Sequence, residues 1–523
     1  MKKLISAIFV LSIIFSGISQ AGFSQVSALS RSRRPSSDAS TASVIKAAPP
    51  APQFTEAERQ AELAGRRAAA VKRMPPNSML LLFSAETRNY AGDVDFYYRQ
   101  ENNLYYLTNL KQKGSVLIIR KAGENVSEYL FVPKRDPSRE TWNGKMYSNE
   151  DASRISGIRT IIDAAELSKF VEALETKEAF KSSGGVEIGG GITDLLFLLP
   201  NGDSDEIGNA EYASESGYAA RFKDYNIRNA RPIFDELRQI KSPYEIKLLQ
   251  HAIDITIEAQ MRSMAAVGSS KWEYEVHAEV DYTFRKRNAD YWGYPSIVGG
   301  GPNATTLHYD ESQGRIIPGQ LLLMDVGAEY DHYSADITRT YPVNGKFSKE
   351  QAEIYQIVYD AQEAVAKVAK PGVPFSRLQA EALSVIENGL FRLGLITKKD
   401  GRQARRWFMH GLGHWLGMNV HDVGRYGVPL APGMVFTNEP GIYIREDALE
   451  YLPDTPENRE FISKIRPAFE KYKNIGVRIE DDLLVTDGGI EWMSKKLPRS
   501  IPDIEAFMAA ASREITASPL KPE

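Results

Sequence analysis

Residues 321–341 read LLLMDVGAEYDHYSADITRTY. The apolar run Leu321, Leu322, Leu323, Met324 leads into Asp325, Val326 and Gly327, and after a polar tip the chain returns through Ala335, Asp336, Ile337 and Thr338. Two β-rich runs about a tight polar connection predict an antiparallel hairpin. With the turn centred on Tyr330-Asp331, Asp325 and Asp336 fall directly opposite one another. Opposed side chains in a ladder lie about 4.5–5.5 Å apart at Cβ, where like charges destabilise. Two carboxylates so placed, on a segment otherwise fit for burial, require a compensating cation. The alternative is an edge hairpin with both carboxylates in solvent, and this stretch alone does not choose between the two.

A chain of 523 residues is too long for one ordinary core, so two large domains are expected. A net charge of −4 gives no support for nucleic-acid or polybasic membrane binding. The N-terminus has the pattern of an export signal. Lys2-Lys3 precedes an apolar run over residues 4–15, and Ser19-Gln20-Ala21 or Val26-Ser27-Ala28 offers a cleavage site. With no cysteine, disulfides, thiolate metal ligands and lipid attachment at a signal-peptide cysteine are all excluded. The expectation is a bacterial periplasmic or secreted protein with a signal over residues 1–28 and no stable membrane insertion after cleavage.

Residues 29–53 are rich in Ser, Arg, Ala and Pro without apolar periodicity, which predicts a disordered linker. An α/β domain is expected over residues 54–238, with helices at 55–73 and 163–174 and strands at 79–83, 104–107, 116–120 and 129–132. No phosphate-binding loop or dinucleotide fingerprint opens a helix there. All seven histidines lie beyond residue 250, so the chemistry is expected in the second half. That half, residues 239–515 before a short tail at 516–523, opens with Ser242 as N-cap, Pro243 at the first helical position and Glu245 completing a capping box. Ile246, Leu249, Ile253, Ile257 and Met261 follow at helical spacing. Further helices at 272–287, 349–370 and 377–393, between strands and Gly-rich loops, indicate α+β organisation.

Four stretches join the hairpin: VGGGPNATTLHY (298–309), HGLGHWLGMNVHD (410–422), TNEPGIY (437–443) and GVRIEDD (476–482). His410 and His414 have the spacing of two ligands on one helical face, but Gly411, Gly413 and Gly417 oppose a helix and no Glu follows His410. Singly, each residue has an ordinary reading: a satisfied histidine, a loop charge at Glu439, an ion pair between Glu480 and Arg478. Together, Asp325, Asp336, Glu439 and Glu480 place four negative charges beside His414, which matches two divalent cations. Carboxylates with one imidazole favour a harder ion such as Mn²⁺, with Co²⁺ or Zn²⁺ as further candidates.

The set DxG…D, HxxxHxxG…HD, NEPG and RIEDD resembles that of the pita-bread metallopeptidases, most closely the aminopeptidase P and prolidase family. FYYRQENNLYYLTNL (96–110) looks like the non-catalytic domain of that family. The resemblance implies an α/β N-terminal domain plus an α+β pita-bread (creatinase/aminopeptidase-like) catalytic domain. It implies hydrolysis of the bond between an N-terminal residue and a following proline, by a metal-bridging hydroxide, in a homodimer or homotetramer. By the same resemblance Asp325, Asp336, His414, Glu439 and Glu480 bind two metals, with Asp336 and Glu480 bridging. His308, His421 and Glu439 act at the scissile bond, His410, Arg478 and Tyr443 meet the substrate, and Asp93 reaches a neighbouring subunit's site. Such bonds need a dedicated enzyme because proline lacks the backbone N–H that most peptidases grip.

Two departures bear on peptide length. Only residues 425–431 separate HDVG from PGM, where relatives carry a longer Arg-containing loop, and residues 446–474 look like an insertion between the last two ligand motifs. The alternatives are a prolidase confined to dipeptides, or a non-catalytic pita-bread binding protein, which would have lost ligands.

Overall fold

The computed structural model describes residues 43–202 and 205–517. The expected export signal, the linker through residue 42 and the last six residues lie outside the described residues.

The first half is built on a six-stranded sheet. Its strands run in the order Asn226–Asn229, Asp194–Phe197, Ser78–Phe83, Val116–Ala122, Asn125–Val132 and Ile161–Asp163. Ser78–Phe83 pairs parallel with one neighbour and antiparallel with the other. It is buried along its whole length, which explains its apolar run over residues 79–83. The run at 104–107, expected as a strand, instead lies in the helix Asn102–Thr108. Glu101 caps that helix by accepting from the Leu104 N–H (2.7 Å), and Asn109 closes it in the left-handed conformation (φ 56°). A four-residue apolar run buried on all sides does not distinguish strand from helix, so the caps decide.

The described end of the expected disordered linker is also ordered. The Ala48 N–H donates to Glu258 (2.7 Å), Ile45 and Ala48 pack on the main core, and Phe54 stacks on Tyr244 with ring centroids 3.8 Å apart. Polar composition gave no internal pattern to read there. Order comes from contact with the helix Pro243–Ala266, about two hundred residues away.

That helix starts where its capping box places it, with Ser242 and Glu245 bonded reciprocally. It runs through the core of the second half, where Gln260 donates to the carbonyls of Met324 (3.1 Å) and Ile337 (2.8 Å), fastening both arms of the acidic hairpin. The helices Glu273–Lys286, Lys349–Val368 and Phe375–Leu393 follow the expected positions. Residues 446–474 contain the helix Pro456–Tyr472, which buries Phe461, Ile465 and Phe469.

The hairpin forms with a corrected register. Strands Leu321–Val326 and Ile337–Pro342 pair Asp325 with Thr338 and Val326 with Ile337, and further out Tyr330 faces Tyr333. The turn is therefore Asp331-His332, both at positive φ (49° and 69°), as a two-residue primed turn requires. Asp336 is diagonal to Asp325 instead of opposite it. Moving the centre by one residue moves the pairing by two, so both carboxylates keep the same face of the ladder. The tip docks on the first half: the Tyr105 hydroxyl donates to Asp331, its ring stacks on His332 (3.8 Å between centroids), and Arg99 pairs with Glu329 (2.7 Å).

Candidate metal centre

Each expected ligand is delivered by a separate piece of backbone. Asp325 and Asp336 come from the hairpin. Glu480 follows the strand Ile475–Arg478, where its N–H donates to the Thr338 carbonyl (3.1 Å) and its Oε2 accepts from the Thr338 hydroxyl (2.6 Å). Glu439 follows the strand Val435–Asn438 and accepts from the Thr437 hydroxyl (3.1 Å). The His414 segment lies against that same strand: Thr437 N–H donates to the His414 carbonyl (2.9 Å) and His414 N–H to the Thr437 hydroxyl (3.0 Å). Only glycine fits at position 413, since a Cβ there would collide with the Thr437 carbonyl. This explains the glycine-rich, non-helical stretch about the two histidines.

All five residues line one cavity of about 740 Å³, together with His308, His410, His421 and Arg478. Asp336, His414 and Glu480 each present a ligating atom within 4.8 Å of the others. His414 Nε2 lies 3.3 Å from Asp336 Oδ2 and 3.3 Å from Glu439 Oε1. Its Nδ1 donates to the Trp415 carbonyl (3.2 Å), which can only accept, so Nε2 is the nitrogen turned toward the carboxylates.

The charges sort the carboxylates into two kinds. Burial pushes the Asp325 carboxyl up, but Arg478, 2.5 Å away, and the Tyr294 hydroxyl together more than offset this and hold it below its ordinary value. Burial raises Asp336 and Glu480 well above the carboxylate range, and neighbouring carboxylates add to the effect. Glu439 is pushed up to about 7, by burial first, with His414 opposing and Asp336 adding. Three buried carboxylates are thus held above their ordinary range, with the Nε2 of His414 turned toward two of them. That donor set fits divalent metal: carboxylate oxygens with one neutral nitrogen, already converged.

Several residues take places that the sequence did not reveal. The Tyr294 hydroxyl is within hydrogen-bonding distance of both Asp325 and Asp336 (2.5 Å to the latter), so one phenol is shared by two carboxylates. No motif marks it; it precedes the strand Ile297–Gly300, whose pairing of Ile297 with Asp325 brings it there. Asp482 is buried behind the site and accepts from the Asp336 N–H (3.2 Å). Asp422 is buried between Arg238 (2.5 Å) and Lys241 (3.4 Å), which pins the loop that carries His421.

Tyr443, expected to meet substrate, lies outside the cavity lining. It is buried behind His410, accepting from Arg478 (2.8 Å) and facing His410 Nε2 (2.8 Å). The tight strand pair Gly441–Ile444 and Ile475–Arg478 turns it inward. Arg478 lines the cavity and gives one donor from each of its nitrogens to Thr338, Tyr443 and Asp325. His410 has both nitrogens engaged, Nδ1 on the Gly411 carbonyl (2.7 Å), and burial and Arg478 lower its pKa to about 3. It is a neutral ring forming a wall. His421 stands 4.2 Å from the His414 ring, lowered to about 4 by burial and then by His414 and His308. His308 is exposed at the cavity rim.

Carboxylates and an imidazole converging in a solvent-reached cavity, on a catalytic half preceded by an α/β domain, define a metal-dependent hydrolase. The model of metallopeptidase family M24 matches residues 247–487, and that of the aminopeptidase P N-terminal domain matches residues 63–181. The chain belongs to metallopeptidase family M24, with an aminopeptidase P-type N-terminal domain and a pita-bread catalytic domain, and it is a metal-dependent aminopeptidase. A Xaa-Pro aminopeptidase of Haemophilus influenzae is 36% identical over 456 residues, 86% of this chain and 97% of the relative. One from Escherichia coli is 32% identical over 474 residues, 88% of this chain and 100% of the relative. The solved aminopeptidase P of E. coli has a TM-score of 0.73 at 31% identity, covering 88% of this chain and 99% of that one.

Proposed function

We propose that the chain removes an N-terminal residue from peptides whose second residue is proline, using two divalent cations, with Mn²⁺ the best match to the ligands. The observation that carries this reading is the set of buried carboxylates, three of them raised by burial and by one another, around His414 in a cavity with apolar walls. Asp325, Asp336, His414, Glu439 and Glu480 would hold the ions. When bound, such ions activate water and polarise the carbonyl to be attacked.

The residues supply the rest. Ile297, Leu307, Val420 and the neutral ring of His410 form a wall suited to a proline ring, which has no N–H to satisfy. Arg478 holds Asp325 ionised while Tyr294 fixes the two hairpin carboxylates against each other. Glu439 takes a proton from the attacking water at its carboxylate and returns it to the leaving prolyl nitrogen. His421, held neutral, and His308 at the rim donate to the oxygen that gains charge as the peptide carbon becomes tetrahedral.

Two further readings rest on separate features. Tyr90, Val94, Phe96 and Tyr97 are exposed around the hairpin that carries Asp93, which supports a homodimer or homotetramer; light scattering tests it. The N-terminal signal pattern supports export to the periplasm or beyond, testable by fractionation and N-terminal sequencing.

The deciding experiment compares a Xaa-Pro-Yaa tripeptide with a Xaa-Pro dipeptide on Mn²⁺-loaded protein. Release of the first residue from the tripeptide is expected. Cleavage of the dipeptide alone would replace this reading with a prolidase, and fewer than two ions bound at saturation would remove the two-metal assignment.

A further inference from the structure

A second cavity, of about 880 Å³, lies in the N-terminal domain. The end of the strand Ser78–Phe83, residues 97–102 and the helix Ala213–Ala219 enclose it, and Asn419 of the catalytic domain closes one side. Four carboxylates line it: Glu86, Glu101, Glu211 and Glu215. Its two arginines do not balance them. Arg99 is spent on Glu329, Asn102, Asn419 and the Met418 carbonyl, and Arg88 is exposed at the edge. Glu101 is committed as a helix cap, accepting from Leu104 N–H and from Asn103.

Glu215 is different. It is 5% exposed, yet among the described residues the hydrogen bond to its carboxylate comes from its own backbone N–H. The charged groups that act on it, Glu101, Glu86 and Glu211, all have its own sign. Burial first, and then these neighbours, push it up to about 7. A buried carboxylate facing a cavity among like charges is costly unless a cation joins it. A divalent metal does not suit the place. Among the described residues, the group of metal-ligating atoms within 4.8 Å of one another is Asp336, His414 and Glu480, in the other cavity. Here the Tyr218 ring is stacked on Phe83 (4.7 Å between centroids), Tyr98 lines the cavity with the Lys113 ammonium already over its ring (5.0 Å), and the volume is that of a small-molecule site.

We propose that this cavity binds a small organic cation, a primary ammonium or guanidinium group, with Glu215 as its charge partner and Tyr218 and Phe83 as its aromatic wall. The probe is agmatine, which carries both groups, titrated calorimetrically at alkaline pH into the full, metal-loaded chain. Wild type is compared with Glu215→Gln, which removes the charge, and Ser214→Trp, which fills the cavity and keeps it. The expected result is a site weakened at least about tenfold in both variants, with peptidase turnover unchanged because neither residue lies in the metal cavity. Binding at the metal cavity would be common to all three proteins and cancels in the comparison. Equal affinities in the three proteins, or no wild-type site up to millimolar agmatine, would overturn the proposal. Glu215→Gln should also unfold at the wild-type midpoint or above it; a lower midpoint would assign the carboxylate a structural role and count against a ligand.

Discussion

Replacing Asp422 by Asn removes one charge from a cluster that has no access to water. Asp422 is 1% exposed at its side chain, and its partners Arg238 and Lys241 are 2% and 1% exposed. Arg238 keeps one other side-chain partner, Asn103 (2.9 Å), whereas the Lys241 ammonium is left with none among the described residues. Breaking a buried pair by removing one member costs about 3–5 kcal/mol, because the stranded charge stays desolvated. The assay is urea unfolding of the metal-saturated protein, with Asp454→Asn as control. Asp454 pairs with Arg459 in solvent, 82% and 59% exposed, so its loss should leave the midpoint unchanged. Adding Lys241→Met to Asp422→Asn removes the orphaned ammonium and should recover part of the loss. Activity should fall too, since His421 is the preceding residue and the Asp422 N–H holds the Trp415 carbonyl (2.9 Å). A cost below about 1 kcal/mol for Asp422→Asn, or no recovery in the double variant, would refute the reasoning.

Asp336→Ala should abolish peptidase activity while the chain stays folded; near-normal turnover of a Xaa-Pro-Yaa peptide would contradict its assignment. Tyr294→Phe removes the hydroxyl shared by Asp325 and Asp336 and should lower metal affinity or turnover by about 10–100-fold, read by metal titration. Chelation should make stability pH-dependent in a set direction. Asp336, Glu439 and Glu480 are held above their ordinary values, so the metal-free folded chain binds more protons than the unfolded one. Its stability is full below the ordinary carboxylate range and is lost as pH rises through the raised values, Glu439's being about 7. The gap in unfolding midpoint between metal-loaded and chelated protein should therefore widen from about pH 5 to about pH 8, and a constant gap would contradict it.

What could be read in the sequence was whatever is specified within a few residues. Ser242, Pro243 and Glu245 announce a helix because a capping box is a local device, and the helix starts there. The acidic hairpin was legible from its two β-rich arms. Its turn was misplaced because Asp331 and His332 adopt the left-handed conformation, which nothing as plain as an Asn-Gly pair advertises. Asp325, Asp336, His414, Glu439 and Glu480 could be collected because each sits in a short motif, and the fold brings all five to one cavity. What escaped depends on partners distant in the chain. Tyr294 reaches the carboxylates by strand pairing, Asp422 meets its cations across 181 and 184 residues, and the helix at 102–108 is decided by its caps. Tyr443 illustrates the same limit: its motif was recognisable, but the strand pair that turns it away from the cavity was not.

The docking of the hairpin tip onto Tyr105 has a consequence for how this architecture can change. The turn that ends one arm of the metal centre is also a plug in the first half, through Asp331, His332 and Glu329. The two halves are therefore not interchangeable modules. A chimera joining this catalytic half to a relative's N-terminal domain would have to carry Tyr105 and Arg99 with it. A loop insertion at Asp331-His332, harmless at most hairpin tips, would here unseat the support of two carboxylates. Drift in the non-catalytic half is thereby constrained by the catalytic one.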